Sequence, residues 1–378
     1  MIVSLAFRIT ARMGAFAAFL LLAIWPEIAS LGFGHPRLPA VVHAVTLGVL
    51  VSGYYALQGE LLARAYGRPL PWPWLSWAVL ALHLVGVATM LSGYLGAGFG
   101  AALQGAHYIV PAGVLLHAAQ SAGAACKRPP GAPRRWTLHM PLAGLAATMA
   151  LGAMLILDAA THRYGLYTPR MLLVHGLTGA TLFVLPALWL HDHAEAYSVN
   201  GPSAARAWVA WGVGAVALGL IASGLPWPVT AGLTGLGAGW LWFAWSGLRK
   251  TSGALPRLAW IVPGMIALFA AGRYAAGLVA AIQQAPQPPA GEPLWLSKLG
   301  ASALLLVAAL PGMVGLLRRE DRHWGGAAPP AVQTGALMLA GALIASASAL
   351  EDAALARTGA VGGMAAILLL GNFPLRGK

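Results

Sequence analysis

The stretch "AVVHAVTLGVLVSGYYALQGELLARAYGRPLP" (residues 40–71) is apolar for most of its length and ends in a basic turn that contains Gly and Pro. An apolar run of about 20 residues is long enough to cross the hydrocarbon core of a bilayer as an α-helix. One imidazole, His43, lies near the start of this run. Lipid offers no hydrogen-bond partner to either ring nitrogen, so His43 needs a partner inside the protein. The stretch therefore predicts a membrane helix and a site within it.

The composition of the whole chain agrees with a membrane protein. Of 378 residues, 59% are hydrophobic and only 9% are charged, whereas a soluble domain carries roughly 25% charged residues. The lipid bilayer is therefore the expected surrounding. The net charge of +13 is expected to mark the cytoplasmic side of the spans, and no nucleic-acid partner is expected. Cys126 is the single cysteine, which excludes an intramolecular disulfide.

Apolar runs between turn signals predict an all-α, polytopic helix bundle. Seventeen Lys and Arg residues fall on the N-terminus, the even-numbered loops and the C-terminus of this arrangement, against five on the opposite set. The excess of basic residues on cytoplasmic loops places both termini in the cytoplasm. The twelve predicted spans are approximately 9–31, 39–63, 72–96, 101–124, 136–158, 170–191, 204–223, 226–247, 257–283, 294–317, 331–350 and 354–372.

Histidines divide the chain into two unequal halves. Ten of the eleven precede residue 200, and the remaining one, His323, lies in a predicted cytoplasmic loop. Residues 1–200 are therefore predicted to be a six-helix half that bears the candidate cofactor site. Residues 201–378 are predicted to be a six-helix half almost devoid of histidine.

Three histidines share one depth in this half. His43, His107 and His175 lie about four, six and five residues into the second, fourth and sixth spans, all of which run from outside to inside. This places the three imidazoles roughly 6–9 Å below the outer end of the bundle. Polar side chains at this depth are costly unless they share a partner. We therefore expect the three side chains to meet around one prosthetic group or metal ion.

A second tier of polar residues lies nearer the cytoplasm. His83 and His117 are candidates for a second cofactor tier, and hydrogen bonding between helices is the alternative. The inner half of the second span also carries Tyr54, Tyr55, Gln58 and Glu60. These side chains are suited to passing protons, to lining a cavity or to hydrogen bonding between helices, and the sequence leaves these three interpretations open.

Neutral imidazoles are suitable ligands for haem iron and for copper or zinc ions. A flat macrocycle needs small residues beside its ligand, and Gly48 and Gly53 follow His43 at this position. Arg273 is the only cation deep within a predicted span, and it is a candidate for contact with the haem propionates. Its alternative role is an ion pair with an acidic residue.

The residues from His43 to Pro71, "HAVTLGVLVSGYY…GRPLP", resemble a helix of the NnrS family and of uncharacterised relatives of haem–copper oxidase subunit I. In these proteins a histidine starts a Gly-bearing span that ends in a Gly-Arg-Pro-Leu-like turn. The resemblance implies a multi-pass protein of a bacterial-type inner membrane, with His43 as an axial ligand of haem b. NnrS-type proteins are described as haem- and copper-containing membrane proteins linked to nitric oxide stress.

The sequence departs from that pattern in its second half. The last six predicted spans contain no histidine, so the binuclear centre that the resemblance implies has no ligands there. Reduction of O₂ or NO by the usual haem–copper oxidase mechanism is therefore not expected. The second axial ligand is expected to come from His107 or His175.

Four functions remain open from the sequence. The first is a haem b protein for electron transfer or for a response to nitric oxide or O₂. The second is a membrane protein that handles copper or zinc through His43, His107 and His175. A transporter without a cofactor is the third. The fourth is a subunit of a respiratory complex, for which an electron donor or other subunits would be the partners.

Overall fold

The structure is a computed structural model, and its described part is helical throughout, without any strand. The residues described are 2–31, 37–96, 99–127, 136–161, 163–166, 169–184, 186–188, 202–248, 306–307, 309–320 and 330–369. The α-helices are α1 (Ile2–Ile24), α2 (Glu27–Leu31), α3 (Leu38–His43), α4 (Ser52–Tyr66), α5 (Pro73–Leu95), α6 (Phe99–Cys126), α7 (Met140–Thr161), α8 (Pro169–Thr178), α9 (Pro202–Ser223), α10 (Pro226–Leu248), α11 (Leu310–Glu320), α12 (Pro330–Leu350) and α13 (Ala353–Leu369).

Five helices in the described ranges are long and apolar enough to cross a membrane. They agree with the first five predicted spans, so the prediction of a helical membrane protein is confirmed in this coarser form. The number of twelve spans and the cytoplasmic termini stay predictions. The five are Ile2–Ile24, Leu38–Tyr66, Pro73–Leu95, Ala102–Cys126 and Met140–Thr161.

The first helix differs from its predicted bounds of 9–31. It begins at Ile2 and ends at Ile24, and the short helix α2 follows it. Pro26 lies between them, and proline has no N–H to continue a helix. The apolar composition continues past Pro26, which is why an apolar run alone placed the end of the span too late.

Packing divides the chain into two compact units. The first unit comprises residues 1–14 and 42–212, and the second comprises residues 15–41 and 213–378. The predicted halves, 1–200 and 201–378, were defined by histidine content and not by packing, so they are a different division and stay a prediction.

The described part of the second unit contains helical hairpins. Helices α12 and α13 pack against each other, and α2 packs on both. Gln333 of α12 donates a hydrogen bond to the carbonyl of Ala366 of α13 at 3.1 Å. A Cβ atom at Gly232 of α10 would lie 2.6 Å from the backbone oxygen of Ala217 of α9. Small residues therefore allow close helix contacts here, as is usual in membranes.

The span Leu38–Tyr66, whose residues from Val42 onward belong to the first unit, is the most buried of the five spans. Helices α5 and α6 form a hairpin beside it, and α6 continues the packing to α7. The span ends where Gly67 adopts a left-handed conformation, with φ of 64°. Glycine favours this conformation at a helix C-terminus because it has no Cβ atom. The turn "GRPLP" is therefore a helix stop signal.

Two contacts fix α1 against this span. Gly14 and Gly48 meet backbone to backbone, so that a Cβ at Gly14 would lie 2.5 Å from the carbonyl carbon of Gly48. Nearer the end of the span, Arg8 donates to both carboxylate oxygens of Glu60 at 2.9 and 2.8 Å. The hydroxyl of Ser4 donates to the same carboxylate. The sequence left three roles open for Glu60. In the structure its carboxylate joins α1 to α4.

We expect Glu60→Gln to destabilise the protein by about 1–2 kcal/mol, since Arg8 is buried and its bidentate charged partner is lost. The magnitude stays modest because the Glu60 side chain is 36% exposed. The measurement is the midpoint of unfolding in detergent. Glu351→Gln, a change at an exposed carboxylate in the turn before α13, is the matched control. Equal midpoints for the two variants would contradict a stabilising role of the pair.

Candidate functional site

Two of the three outer-tier histidines are each followed closely by a π-helical stretch. Residues Ala44–Val51 are π-helical directly after His43, and Gly179–Val184 are π-helical four residues after His175. A π-helical turn is wider than an α-helical one, and such turns are frequent at functional sites. Both stretches are in the first unit. Among the histidines in the part of the chain that the structure describes, the local backbone therefore distinguishes His43 and His175.

His43 contacts groups from two other helices. Its ring stacks on Tyr94 of α5, with ring centroids 5.1 Å apart and planes inclined by 28°. It also lies close enough to His175 of α8 for the charge of one imidazole to act on the other. Residues that are 132 positions apart in the sequence are thus neighbours. The structure brings together this pair of the predicted trio.

His175 has a ring nitrogen available for a ligand. Its Nδ1 atom is buried and has no hydrogen-bond partner, and the ring also interacts with the backbone of Thr148. Gly152 of α7 lies against the ring, and a Cβ there would be 2.8 Å from the Cε1 atom of His175. Only glycine fits at this position without displacing the imidazole.

His107 shares one property with His175, because its Nδ1 atom is also buried without a hydrogen-bond partner. Its ring packs against the neighbouring Tyr108 of the same helix, with ring centroids 3.7 Å apart. In the described part of the chain, no three His, Cys, Asp or Glu side chains form a group that could hold a metal ion. The predicted copper or zinc site of His43, His107 and His175 therefore gains no support and stays a prediction.

Two imidazoles are one donor set that can hold haem b, and His43 and His175 could supply it. Imidazole nitrogen is a common axial ligand of haem iron. An unpartnered buried nitrogen is costly in a protein interior, and a ligand at His175 would remove that cost. A haem held by this pair stays a prediction, as does a metal ion held by the three histidines.

The inner-tier histidines lie in different surroundings. The Nε2 atom of His83 is 2.8 Å from the hydroxyl of Ser52 and 3.1 Å from the carbonyl oxygen of Leu47. Hydrogen bonding between helices therefore accounts for His83 without a cofactor. The ring of His117 lies 4.6 Å from the ring of Tyr55, and its Nε2 atom is buried without a hydrogen-bond partner.

His139 lies just before α7 and next to this inner tier. Its Nε2 atom is 3.3 Å from the hydroxyl of Tyr66, and it is close enough to His117 to interact with it electrostatically. Burial lowers the pKa of the His139 imidazole because desolvation disfavours the charged form. His139 is therefore neutral at neutral pH.

The other predicted site residues have mixed outcomes. Gly48 contacts Gly14 of α1, which explains its small size by helix packing, and a contact with a macrocycle stays a prediction. Gly53 is buried in α4, and its role beside a haem also stays a prediction. Arg273 lies outside the described residues, so its proposed contact with propionates is untested.

Sequence reasoning missed two residues of the site, Tyr94 and Gly152. Tyr94 lies in the last turn of α5, at the outer end by the predicted orientation, so its depth could have suggested His43 as a neighbour. Nothing in the sequence distinguishes Gly152 from the other glycines, of which the chain has 48 in total. Only the crossing of α7 with α8 makes it necessary.

For the haem b that the sequence predicts, we expect Gly152→Ala to reduce the haem content of the purified protein by about tenfold or more, because the added methyl group displaces the imidazole of His175. The measurement is haem per protein from the absorbance of the purified variant. Gly335→Ala, at a helical glycine with nothing within 4 Å of an added Cβ, is the control. Haem retention by Gly152→Ala equal to that of the control would contradict a ligand role for His175.

A comparison of the sequence with protein-family models finds no match, and a comparison with curated proteins finds none either.

Proposed function

We propose that this chain is an integral membrane protein that binds haem b through His43 and His175, for electron transfer or for a response to nitric oxide or O₂. The observation that carries the proposal is that these two imidazoles, from separate helices, lie close enough to interact electrostatically. The resemblance of residues 43–71 to the NnrS family and to relatives of oxidase subunit I agrees with it. By the same resemblance we propose a bacterial-type inner membrane as the location.

The residues of the chain would hold and shield the group. His43 and His175 would supply the axial nitrogens, and the stacked Tyr94 would fix the orientation of the His43 ring. The five apolar spans would keep bulk water from the site. Haem, when bound, supplies a one-electron redox couple or a site for a diatomic gas, and its potential depends on the axial ligands and on burial.

The test is a reduced-minus-oxidised absorbance spectrum of the purified protein together with quantified iron, copper and zinc. We expect the Soret and α bands of a low-spin haem b and iron in proportion to it. Copper or zinc without haem bands would overturn the proposal in favour of metal handling. A protein with neither haem nor metal would favour a transporter without a cofactor. Co-purification of redox subunits would identify the electron donor.

A further inference from the structure

Besides the Nδ1 atom of His107, four buried polar atoms without a hydrogen-bond partner occur on two helices of the first unit. They are the hydroxyl of Tyr54 and the Oε1 atom of Gln58 on α4, and the Nε2 atom of His117 and the hydroxyl of Ser121 on α6. Each of these residues is at most 4% exposed. The cofactor site proposed above uses none of them.

The four atoms belong to one place. Tyr54 and Gln58 are one helical turn apart, as are His117 and Ser121, so each pair lies on one face of its helix. Helices α4 and α6 are in contact, and the rings of Tyr54 and His117 meet edge to face at 5.9 Å. Gln58 also contacts the segment that precedes α7, because its Nε2 atom donates to the carbonyl of Leu138 at 2.6 Å.

A dry interior does not explain this arrangement. A buried polar atom without a partner costs about 1–3 kcal/mol, so four in one place would be a large penalty. Internal water removes that penalty when the site offers two to four polar partners to each molecule. The hydroxyls accept and donate, the amide oxygen accepts, and a neutral imidazole nitrogen does either according to its tautomer. Together these groups can form hydrogen bonds with internal water molecules.

A polar route leads from this place to one end of the bundle. His139 interacts with His117 electrostatically, is itself only partly buried, and lies 3.3 Å from the hydroxyl of Tyr66. Tyr66 is the last residue of α4. Arg64, Arg68 and Lys127 lie at this end, where α4 and α6 stop and α7 starts; we call it the basic end.

We propose that Tyr54, Gln58, His117 and Ser121 enclose an internal water site that is reached from the basic end past His139 and Tyr66. The site brings water, and with it exchangeable protons, to the imidazole of His117 in the middle of the first unit. Ser52 and Tyr66 are 14 residues apart on α4, so this polar half of the helix extends over about 21 Å. The inference does not depend on haem, and a chain that binds no haem leaves its test unchanged.

The test uses cysteine accessibility in the full-length protein. Cys126 is exposed and is the one free thiol, so Cys126→Ser provides a background without cysteine. Ser121→Cys then places a thiol of nearly the same size at the water site. Ala124→Cys is the matched control: it is on the same helix, nearer the basic end, and packs in an apolar cluster with Leu61, Leu62, Leu138 and Tyr66, whose hydroxyl lies at His139.

We expect 2-aminoethyl methanethiosulfonate, a small water-soluble reagent, to modify Ser121→Cys more than about tenfold faster than Ala124→Cys, because only a hydrated thiol ionises and reacts. Mass spectrometry of the intact protein gives both rates. Equal rates would overturn the proposal. Slow modification of both cysteines would mean that no water reaches residue 121. Fast modification of both would mean that the whole end of α6 is open to solvent.

A second measurement needs no cysteine variant and remains available if Ser121→Cys does not fold. Diethyl pyrocarbonate adds a carbethoxy group to an accessible neutral imidazole nitrogen. We expect it to modify His117 in the unaltered chain more than about tenfold faster than His83, whose Nε2 atom is engaged by Ser52 and Leu47. Peptide mapping reads both positions in one sample. Equal protection of the two histidines would overturn the proposal.

Discussion

His43→Ala is expected to yield a folded protein that has lost its haem. His43 is the axial ligand that the resemblance implies, and in the structure it lies beside His175 and on Tyr94. Changes to residues that only support a metal ligand already cost about 10–100-fold in affinity, so removal of the ligand itself should exceed this range. The measurement is the Soret absorbance per protein after purification. His175→Ala is expected to give the same result.

His83→Gln is the matched control for these two variants. His83 is also a buried imidazole of the first unit, but Ser52 and the Leu47 carbonyl already engage its Nε2 atom. Glutamine keeps a polar group at this position, and we expect full haem content. Haem retained in His43→Ala would reject the proposed ligand pair. Haem lost in all three variants would mean that the loss follows from general misfolding.

Gly144→Ala is expected to destabilise the protein by about 3 kcal/mol or more, the upper part of the range for overpacking. A Cβ at Gly144 of α7 would lie 1.9 Å from the backbone oxygen of Leu182 and 2.8 Å from the backbone nitrogen of Phe183. Backbone atoms cannot rotate away as the end of a side chain can. The same Leu182 oxygen accepts a hydrogen bond from the indole of Trp211 at 3.1 Å, which a shift would also disturb.

The midpoint of thermal or denaturant unfolding in detergent measures this effect. Gly176→Ala is the control, because nothing lies within 4 Å of an added Cβ there and alanine is intrinsically better than glycine in a helix by about 1 kcal/mol. The two changes should therefore have opposite signs. A Gly144→Ala protein as stable as the parent would mean that α7 does not approach the Gly179–Val184 stretch this closely.

The sequence by itself determined that the chain is helical and apolar enough for a membrane. A bilayer requires about 20 apolar residues in each span and internal hydrogen bonds throughout, and both requirements are local. The third span was accordingly predicted at 72–96, and the helix runs over Pro73–Leu95. The depth of a histidine within its span is equally local, and for this reason the sequence can predict one level for His43, His107 and His175.

Only the tertiary structure decided which of those histidines are neighbours. The direction in which a side chain points around its helix axis matters only once the adjacent helix is known, and no local pattern supplies that neighbour. The π-helical turns after His43 and His175 change those directions further. Tertiary packing thus brought His43 to His175, gave His83 its partners on the Leu38–Tyr66 span, and left the inner face of α6 with polar atoms that lack partners.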